Sequence, residues 1–165
     1  MVKVVVEHIV VDLNTHAPIV ILKSEEGEIL PIVIGIFEAQ SILRALENAV
    51  FARPLTHDLI KKVIESLGGK MISLEIHSLL KNVYYSDIVV DINGNIKRID
   101  CRPSDGISLA LRFNAPIFVS ENLLEKSENV KYYFSKPIDS KEAEEFRKTI
   151  ENLDASEFWK KIKNG

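Results

Sequence analysis

The sequence is poor in the residues that build several common kinds of functional site. It contains one cysteine, Cys101, so neither an internal disulfide nor a cysteine-based metal site can form within the chain. It also contains no glycine-rich phosphate loop, no serine nucleophile elbow and no zinc motif. The chemistry of this protein must therefore come from a different arrangement of side chains.

Long hydrophobic runs and excess positive charge are lacking as well. No apolar run reaches the roughly 18 residues that a membrane-spanning helix needs. The N-terminus has a strand pattern and not that of a signal peptide, so we expect a cytoplasmic location and no membrane attachment. The formal charge is −3, whereas proteins that bind nucleic acid by charge alone are usually basic. Nucleic acid binding would need a local basic patch or a metal ion.

Strand and helix patterns alternate in two halves of the chain. Segments rich in Val and Ile at 2–13, 19–22 and 29–34 predict a three-stranded antiparallel meander, with helices following at 38–50 and 56–67. Segments at 71–80, 83–91 and 96–101 predict a second meander, in which Asn93-Gly94 is a hairpin turn. A buried helix at 103–113 and a strand at 116–120 follow. The predicted fold class is α+β: two antiparallel β-meander plus helix halves forming one domain.

The last part of the chain is rich in Glu and Lys. We predict a short helical piece at 121–126, an edge segment at 131–134 and helices at 138–153 and 155–162. The expected organisation is one domain at 1–135 and a C-terminal helical extension at 136–165. Open strand edges and the Phe158-Trp159 pair favour a homo-oligomer. Many Glu and Lys with a single Gln are typical of a thermophile.

Two helix beginnings have the same entry, an Arg-Pro pair. Pro103 fits the first position of its helix, where the missing N–H costs nothing. We expect Ser104 and Asp105 to accept hydrogen bonds from free N–H groups of that first turn, and Thr56 to be the N-cap of the earlier helix. These entries are the points at which the sequence defines the local backbone most strongly.

Several segments, in order across about residues 1–135, resemble the bifunctional nuclease domain family: LPIVIG at 30–35 with Glu38-Ala39, RPLTHDL at 53–59, RPSD at 102–105 and APIFV at 115–119. Plant members of that family are described as cutting both DNA and RNA. The resemblance implies a nuclease, a phosphodiesterase of low sequence specificity acting on single-stranded DNA or RNA.

His57 and Asp58 lie side by side at a predicted helix start, just after Arg53. In the functional interpretation, His57 or Asp58 is a general base or metal ligand and Arg53 contacts a phosphate. In the structural interpretation, Asp58 complements the helix dipole and His57 is merely exposed. A cap requires neither His nor Arg, and both alternatives stay open.

Arg102 and Asp105 have two interpretations as well. Arg102 at a helix N-terminus would hold a phosphate or carboxylate, and Asp105 would join Glu38 and Asp58 as ligands of Mg²⁺ or Mn²⁺ that orients the attacking water. Alternatively, Asp105 caps its helix, Arg102 pairs with a neighbouring acid such as Asp100, and Glu38 complements its own helix dipole.

Two other functions remain open from the sequence. One is a non-catalytic oligomeric binding or regulatory module, and the other is a small-molecule phosphate or carboxylate site at the Arg-Pro helix starts. The most informative observation is whether the candidate residues share one accessible pocket; the candidates are Glu38, Arg53, His57, Asp58, Arg102 and Asp105.

Overall fold

A computed structural model describes residues 1–12, 15–49 and 51–126. The described part of the chain contains three α-helices: α1 (Ile36–Leu46), α2 (Thr56–Ser66) and α3 (Pro103–Phe113). Its eight strands are β1 (Val2–Val11), β2 (Pro18–Ser24), β3 (Glu28–Val33), β4 (Gly69–Leu80), β5 (Val83–Ile92), β6 (Asn95–Cys101), β7 (Ile117–Val119) and β8 (Glu125–Lys126). The predicted α+β class is confirmed.

The two predicted meanders are present and belong to one sheet. Its strand order is β6-β5-β4-β7-β1-β2-β3-β8. The short strand β7 lies between the halves, antiparallel to β1 and parallel to β4. The inner edges of both meanders are therefore paired, which leaves β6 and β8 as the outer strands of the described sheet.

Two turns of the fold depend on residues that tolerate a left-handed backbone conformation. Asn93 and Gly94 have φ of 52° and 85° and close the two-residue hairpin between β5 and β6, as predicted. Gly68, with φ of 73°, follows Leu67, the C-cap residue of α2, and ends that helix. The first turn pairs β5 with β6, and the second leads from α2 directly into β4.

Helix α3 is the buried helix of the core, as predicted. Ile107 and Ala110 are fully buried, and α3 packs against α1, α2, β4 and β5. Gly106 lies so close to Leu74 of β4 that a Cβ there would collide with the leucine side chain. This close packing of helix on strand fixes where α3 begins.

The apolar residues of α2 lie mostly outside the core. Only Ile64 of that helix is buried, while four other apolar residues are 36–58% exposed. They are Leu59, Ile60, Val63 and Leu67 of the α2 segment and its C-cap. The helix is amphipathic, but most of its apolar face has no covering element among the described residues.

The helical piece predicted at 121–126 is wrong in its second half. A 3-10 turn covers Glu121–Leu123, and the next residues form β8, which pairs with β3. The segments predicted at 131–134, 138–153 and 155–162, and the division between 135 and 136, lie outside the described residues and stay predictions. Within the described ranges, no helix is long and apolar enough to cross a membrane.

Candidate functional site

The first turns of the three helices meet at one open pocket of about 480 Å³. Glu38 lies in the first turn of α1, His57 in that of α2 and Asp105 in that of α3, and Arg102 is the N-cap of α3. All four line this pocket, which we name the helix-start pocket. Residues that are far apart in the sequence are thus brought together, as the nuclease hypothesis requires.

Arg102 joins the two carboxylates of the pocket. Its Nε and Nη2 donate to Asp105 Oδ2 and Oδ1 over 2.8 and 3.2 Å, and its Nη1 lies 3.1 Å from Glu38 Oε1. Arg102 thus pairs with a neighbouring acid, as the structural alternative expected, but that acid is Asp105 and not the example Asp100. The Arg102 side chain is 67% exposed, so its guanidinium also remains open to a ligand.

Asp105 also bonds to the imidazole of His57. The Asp105 Oδ1 atom lies 3.1 Å from His57 Nε2, and the His57 side chain is only 13% exposed. The hydrogen bond with His57, opposed by burial and assisted by Arg102, lowers the pKa of Asp105 to about 2. Asp105 is a carboxylate at neutral pH, so its Oδ1 accepts a hydrogen bond from the N–H at His57 Nε2. The interpretation of His57 as merely exposed is wrong.

Ser41 forms a hydrogen bond with the other ring nitrogen of His57. Its Oγ lies 2.9 Å from His57 Nδ1, and Ser41 also lines the helix-start pocket. Because Nε2 bears the proton in the neutral ring, Nδ1 accepts the Ser41 hydroxyl hydrogen. The sequence analysis did not find Ser41. Its position three residues after Glu38 places both side chains on one face of α1, and this spacing was the signal that could have indicated a shared site.

The first turns are capped differently from the prediction. Asp105 and Ser104 make no side-chain cap at α3, because the oxygens of Asp105 are bonded to Arg102 and His57. Pro103 stands at the first helical position, as predicted. Leu55, not Thr56, is the N-cap of α2.

Asp58 and Arg53 are not in the helix-start pocket. Asp58 Oδ1 accepts a 2.6 Å bond from Arg112 Nε, and its Oδ2 accepts a bond from the Leu55 N–H. Burial opposes ionisation of Asp58, but the hydrogen bonds from Arg112 and Leu55 outweigh it and lower the pKa of Asp58. Arg53 is exposed on the loop before α2. The structure thus separates Asp58 from its neighbour His57.

The predicted metal ligands are consequently divided between two places. Glu38 and Asp105 meet at Arg102, whereas Asp58 pairs with Arg112. Within the described residues, no group of three or more His, Cys, Asp or Glu side chains is placed to hold a metal ion. Mg²⁺ usually binds through one or two carboxylates together with substrate phosphate, and Glu38 and Asp105 would hold it in this way only after Arg102 turns from them to the phosphate.

The walls of the helix-start pocket are partly apolar. Phe37, Leu55 and Ile60 line it beside the charged residues, and Phe37 is 53% exposed. The pocket therefore combines charged groups suited to a phosphate with an apolar wall.

Residues 20–131, which include every residue of this pocket, match the family model of the bifunctional nuclease domain. The chain belongs to the bifunctional nuclease domain family. Over 115 residues it is 37% identical to an uncharacterized protein of Mycobacterium tuberculosis, covering 69% of this chain and 68% of that protein.

Plant members of the bifunctional nuclease domain family match the same region. The chain is 31% identical over 121 residues to Bifunctional nuclease 1 of Oryza sativa subsp. indica, covering 69% of this chain and 37% of the rice protein. It is 27% identical over 111 residues to Bifunctional nuclease 1 of Arabidopsis thaliana, covering 64% of this chain and 34% of that protein. The match thus spans about a third of the length of these plant nucleases.

Proposed function

We propose that the protein is a nuclease that hydrolyses phosphodiester bonds of DNA and RNA, with low sequence specificity, in the helix-start pocket. The observation that carries the proposal is the continuous series of hydrogen bonds from Ser41 through His57 and Asp105 to Arg102. The names of the plant relatives support the same class of reaction. The series contains a proton acceptor, a group that orients it and an anion-binding guanidinium.

Arg102 is the group that would hold the scissile phosphate. Its planar fork makes paired bonds to an oxyanion, and more than half of its side chain is exposed. The surrounding first turns of α1, α2 and α3 add backbone N–H groups and the positive ends of three helix dipoles. Asp105 and Glu38 keep the guanidinium at the pocket when no phosphate is bound.

His57 is the proton acceptor of the proposed reaction. Asp105 fixes the proton of the neutral ring on Nε2, so Nδ1 carries a lone pair that can accept a proton. In the structure this lone pair accepts a hydrogen bond from Ser41. An attacking water that replaces or bonds to the Ser41 hydroxyl can pass its proton to Nδ1. General base catalysis of this kind contributes about 10²–10⁴-fold to a rate.

Glu38 and Asp105 are the residues that would hold Mg²⁺ or Mn²⁺. Such an ion, when bound, polarises a phosphoryl oxygen and stabilises negative charge on the phosphate. Gly35 serves this arrangement, because a Cβ at that position would collide with the carboxylate of Glu38. A side chain there would push the Glu38 carboxylate away from Arg102.

Single-stranded DNA or RNA is the substrate class that we propose, as the family resemblance implies. The helix-start pocket is open, so a flexible single strand can bring one of its phosphates to Arg102.

The test compares two histidine variants of the full chain. His57→Ala should lower the rate of cleavage of labelled single-stranded DNA and RNA at least about 100-fold, since the proton acceptor is lost. His77→Ala is the matched control, because His77 is exposed on β4. Each protein is assayed in EDTA and then with Mg²⁺ or Mn²⁺ restored, which tests the role of the ion. Undiminished cleavage by His57→Ala would overturn the proposal.

A non-catalytic oligomeric binding or regulatory module is the second candidate. The exposed apolar residues of α2 favour it, since Leu59 and Val63 are 53% and 48% exposed. Light scattering of the purified protein, and of Val63→Asp, measures assembly through this face. An oligomer that cleaves neither DNA nor RNA with any added ion would favour this candidate. Cytoplasmic location, homo-oligomerisation and thermophilic origin stay predictions.

A further inference from the structure

A second pocket, of about 470 Å³, lies beside the helix-start pocket. It is lined by four basic side chains, Arg44, Lys61, Lys62 and Arg112, and by the carboxylates of Asp58 and Glu65. These charges give it a formal charge of +2, in a chain whose formal charge is −3. We name it the basic pocket. It is the kind of local basic patch that an acidic protein needs if it binds a polyanion.

Two of its basic side chains hold the helices together. Arg112, whose side chain is 8% exposed, donates to Asp58 of α2 and to the backbone carbonyl of Ser41 in α1. Lys61 of α2 donates to the carbonyl oxygen of Arg112 over 2.7 Å, and its Nζ lies 5.3 Å from the ring centre of Phe113. Lys61 is therefore a structural contact and does not belong to a simply solvated helix face.

The other two basic side chains are available to a ligand. Among the described residues, no carboxylate forms an ion pair with Arg44 or Lys62. The guanidinium of Arg44 lies over the ring of Phe51, 4.7 Å from its centre. Stacking of this kind uses the flat face of the guanidinium and leaves its N–H groups at the edge for an anion.

The two pockets adjoin at Arg44, which lines both. Ser41, on the wall of the helix-start pocket, precedes Arg44 by three residues, and this spacing is about 4.5 Å along the helix axis. The two side chains share one face of α1. A flexible single strand with one phosphate at Arg102 can thus continue along α1 toward Arg44 and Lys62.

We propose that the basic pocket, through Arg44 and Lys62, binds the phosphate next to the one that is cleaved. The substrate would then be an oligonucleotide or polynucleotide with at least two phosphates, in preference to a mononucleotide or an isolated phosphodiester. This inference rests on the proposed nuclease function and adds a binding site to it. Lys61 and Arg112 keep the pocket in shape, and Arg44 and Lys62 contact the strand.

Binding is measured first, without cleavage, in full-length protein carrying His57→Ala and kept in EDTA. The probe is a fluorescent oligodeoxythymidylate of about a dozen nucleotides, followed by anisotropy over a range of salt concentrations. Addition of Arg44→Ala or Lys62→Ala should weaken binding about 3- to 10-fold at low salt. Each should also reduce the slope of log K against log salt by about 0.7, the value for one lost contact to a single-strand phosphate.

Lys97→Ala is the matched control, because Lys97 is an exposed lysine of β6. It should leave both the affinity and the salt slope as in the parent protein. Lys62 is exposed, so its variant should fold normally, and a thermal unfolding curve checks this. The Lys62 result therefore decides the test even if Arg44→Ala loses stability along with its contact to Phe51.

Cleavage is measured second, in protein with an intact His57. The ratio of kcat/KM for the oligonucleotide to that for bis(p-nitrophenyl) phosphate, which has one phosphate, should fall about tenfold in Lys62→Ala. That ratio should stay unchanged in Lys97→Ala. Cleavage of the oligonucleotide with equal ratios in both variants would overturn the second phosphate site and leave the nuclease function standing. Loss of binding in Lys62→Ala, in a protein that cleaves nothing, would support the site and overturn the nuclease function.

Discussion

Asp105 is the residue through which the electrostatics of the pocket can be measured. It accepts bonds from His57 and Arg102, and its pKa in the folded protein is about 2, against an ordinary value of 3.8. Asp105→Asn removes the charge while keeping the size of the side chain. We expect this variant to unfold at lower denaturant concentration at neutral pH, because the favourable interactions of a carboxylate with two donors are lost.

The size of the effect follows from the pKa. A shift of a little under two pKa units corresponds to about 2.5 kcal/mol of stabilisation at neutral pH. The Asp105 side chain is 28% exposed, and solvent screening reduces this value. We therefore expect Asp105→Asn to lower the free energy of unfolding by about 1–2 kcal/mol at pH 7.

The pH dependence of the free energy of unfolding distinguishes the electrostatic contribution of Asp105 from a contribution of packing. Because folding lowers the pKa of Asp105, its contribution is fully present above about pH 4 and is lost as the pH falls through about 2. Urea unfolding of the wild-type protein and of Asp105→Asn, measured between about pH 7 and pH 2, should give curves that converge in that window. Asp100→Asn, on the exposed strand β6, is the control. A difference that stays constant over the whole range would refute the electrostatic reasoning.

Three further changes test other parts of the structure. Arg112→Met should lower the free energy of unfolding by about 3 kcal/mol, since it removes the guanidinium that pairs with the part-buried carboxylate of Asp58; a loss below about 1 kcal/mol in urea unfolding would contradict this. Gly106→Ala should cost about 1–3 kcal/mol, read from thermal unfolding, because the new Cβ collides with Leu74; an unchanged melting temperature would argue against that packing. Burial raises the pKa of the Cys101 thiol, so it should react slowly with a disulfide reagent at about pH 7 and faster in urea; equal rates would be inconsistent with a buried thiol.

Local chemistry made one helix beginning and one hairpin predictable from the sequence. The fixed φ of Pro103 and the left-handed tolerance of Asn93-Gly94 act within a few residues, and both turned out as predicted. The caps of the helices did not. Local patterns do not say which helix starts meet, so the sequence left open whether Glu38, His57 and Arg102 come together.

Neighbouring residues of a helix illustrate what the sequence could not show. His57 and Asp58 are adjacent, and an α-helix rotates by about 100° per residue, so their side chains point to different pockets. Ser41 was missed because its partner His57 is sixteen residues away, on another helix. Periodicity likewise revealed an apolar face on α2 but could not show how little of that face the rest of the domain covers.

Strand β7 has a consequence for the order in which the protein becomes complete during synthesis. Only three residues long, it joins the two halves of the sheet, and it pairs Val2 with Val119 across almost the whole domain. Until those residues leave the ribosome, β1 and β4 present unsatisfied backbone groups to any other extended chain nearby. Contacts between such distant residues form slowly. The nascent protein is therefore most vulnerable to mispairing just before its smallest central strand is made.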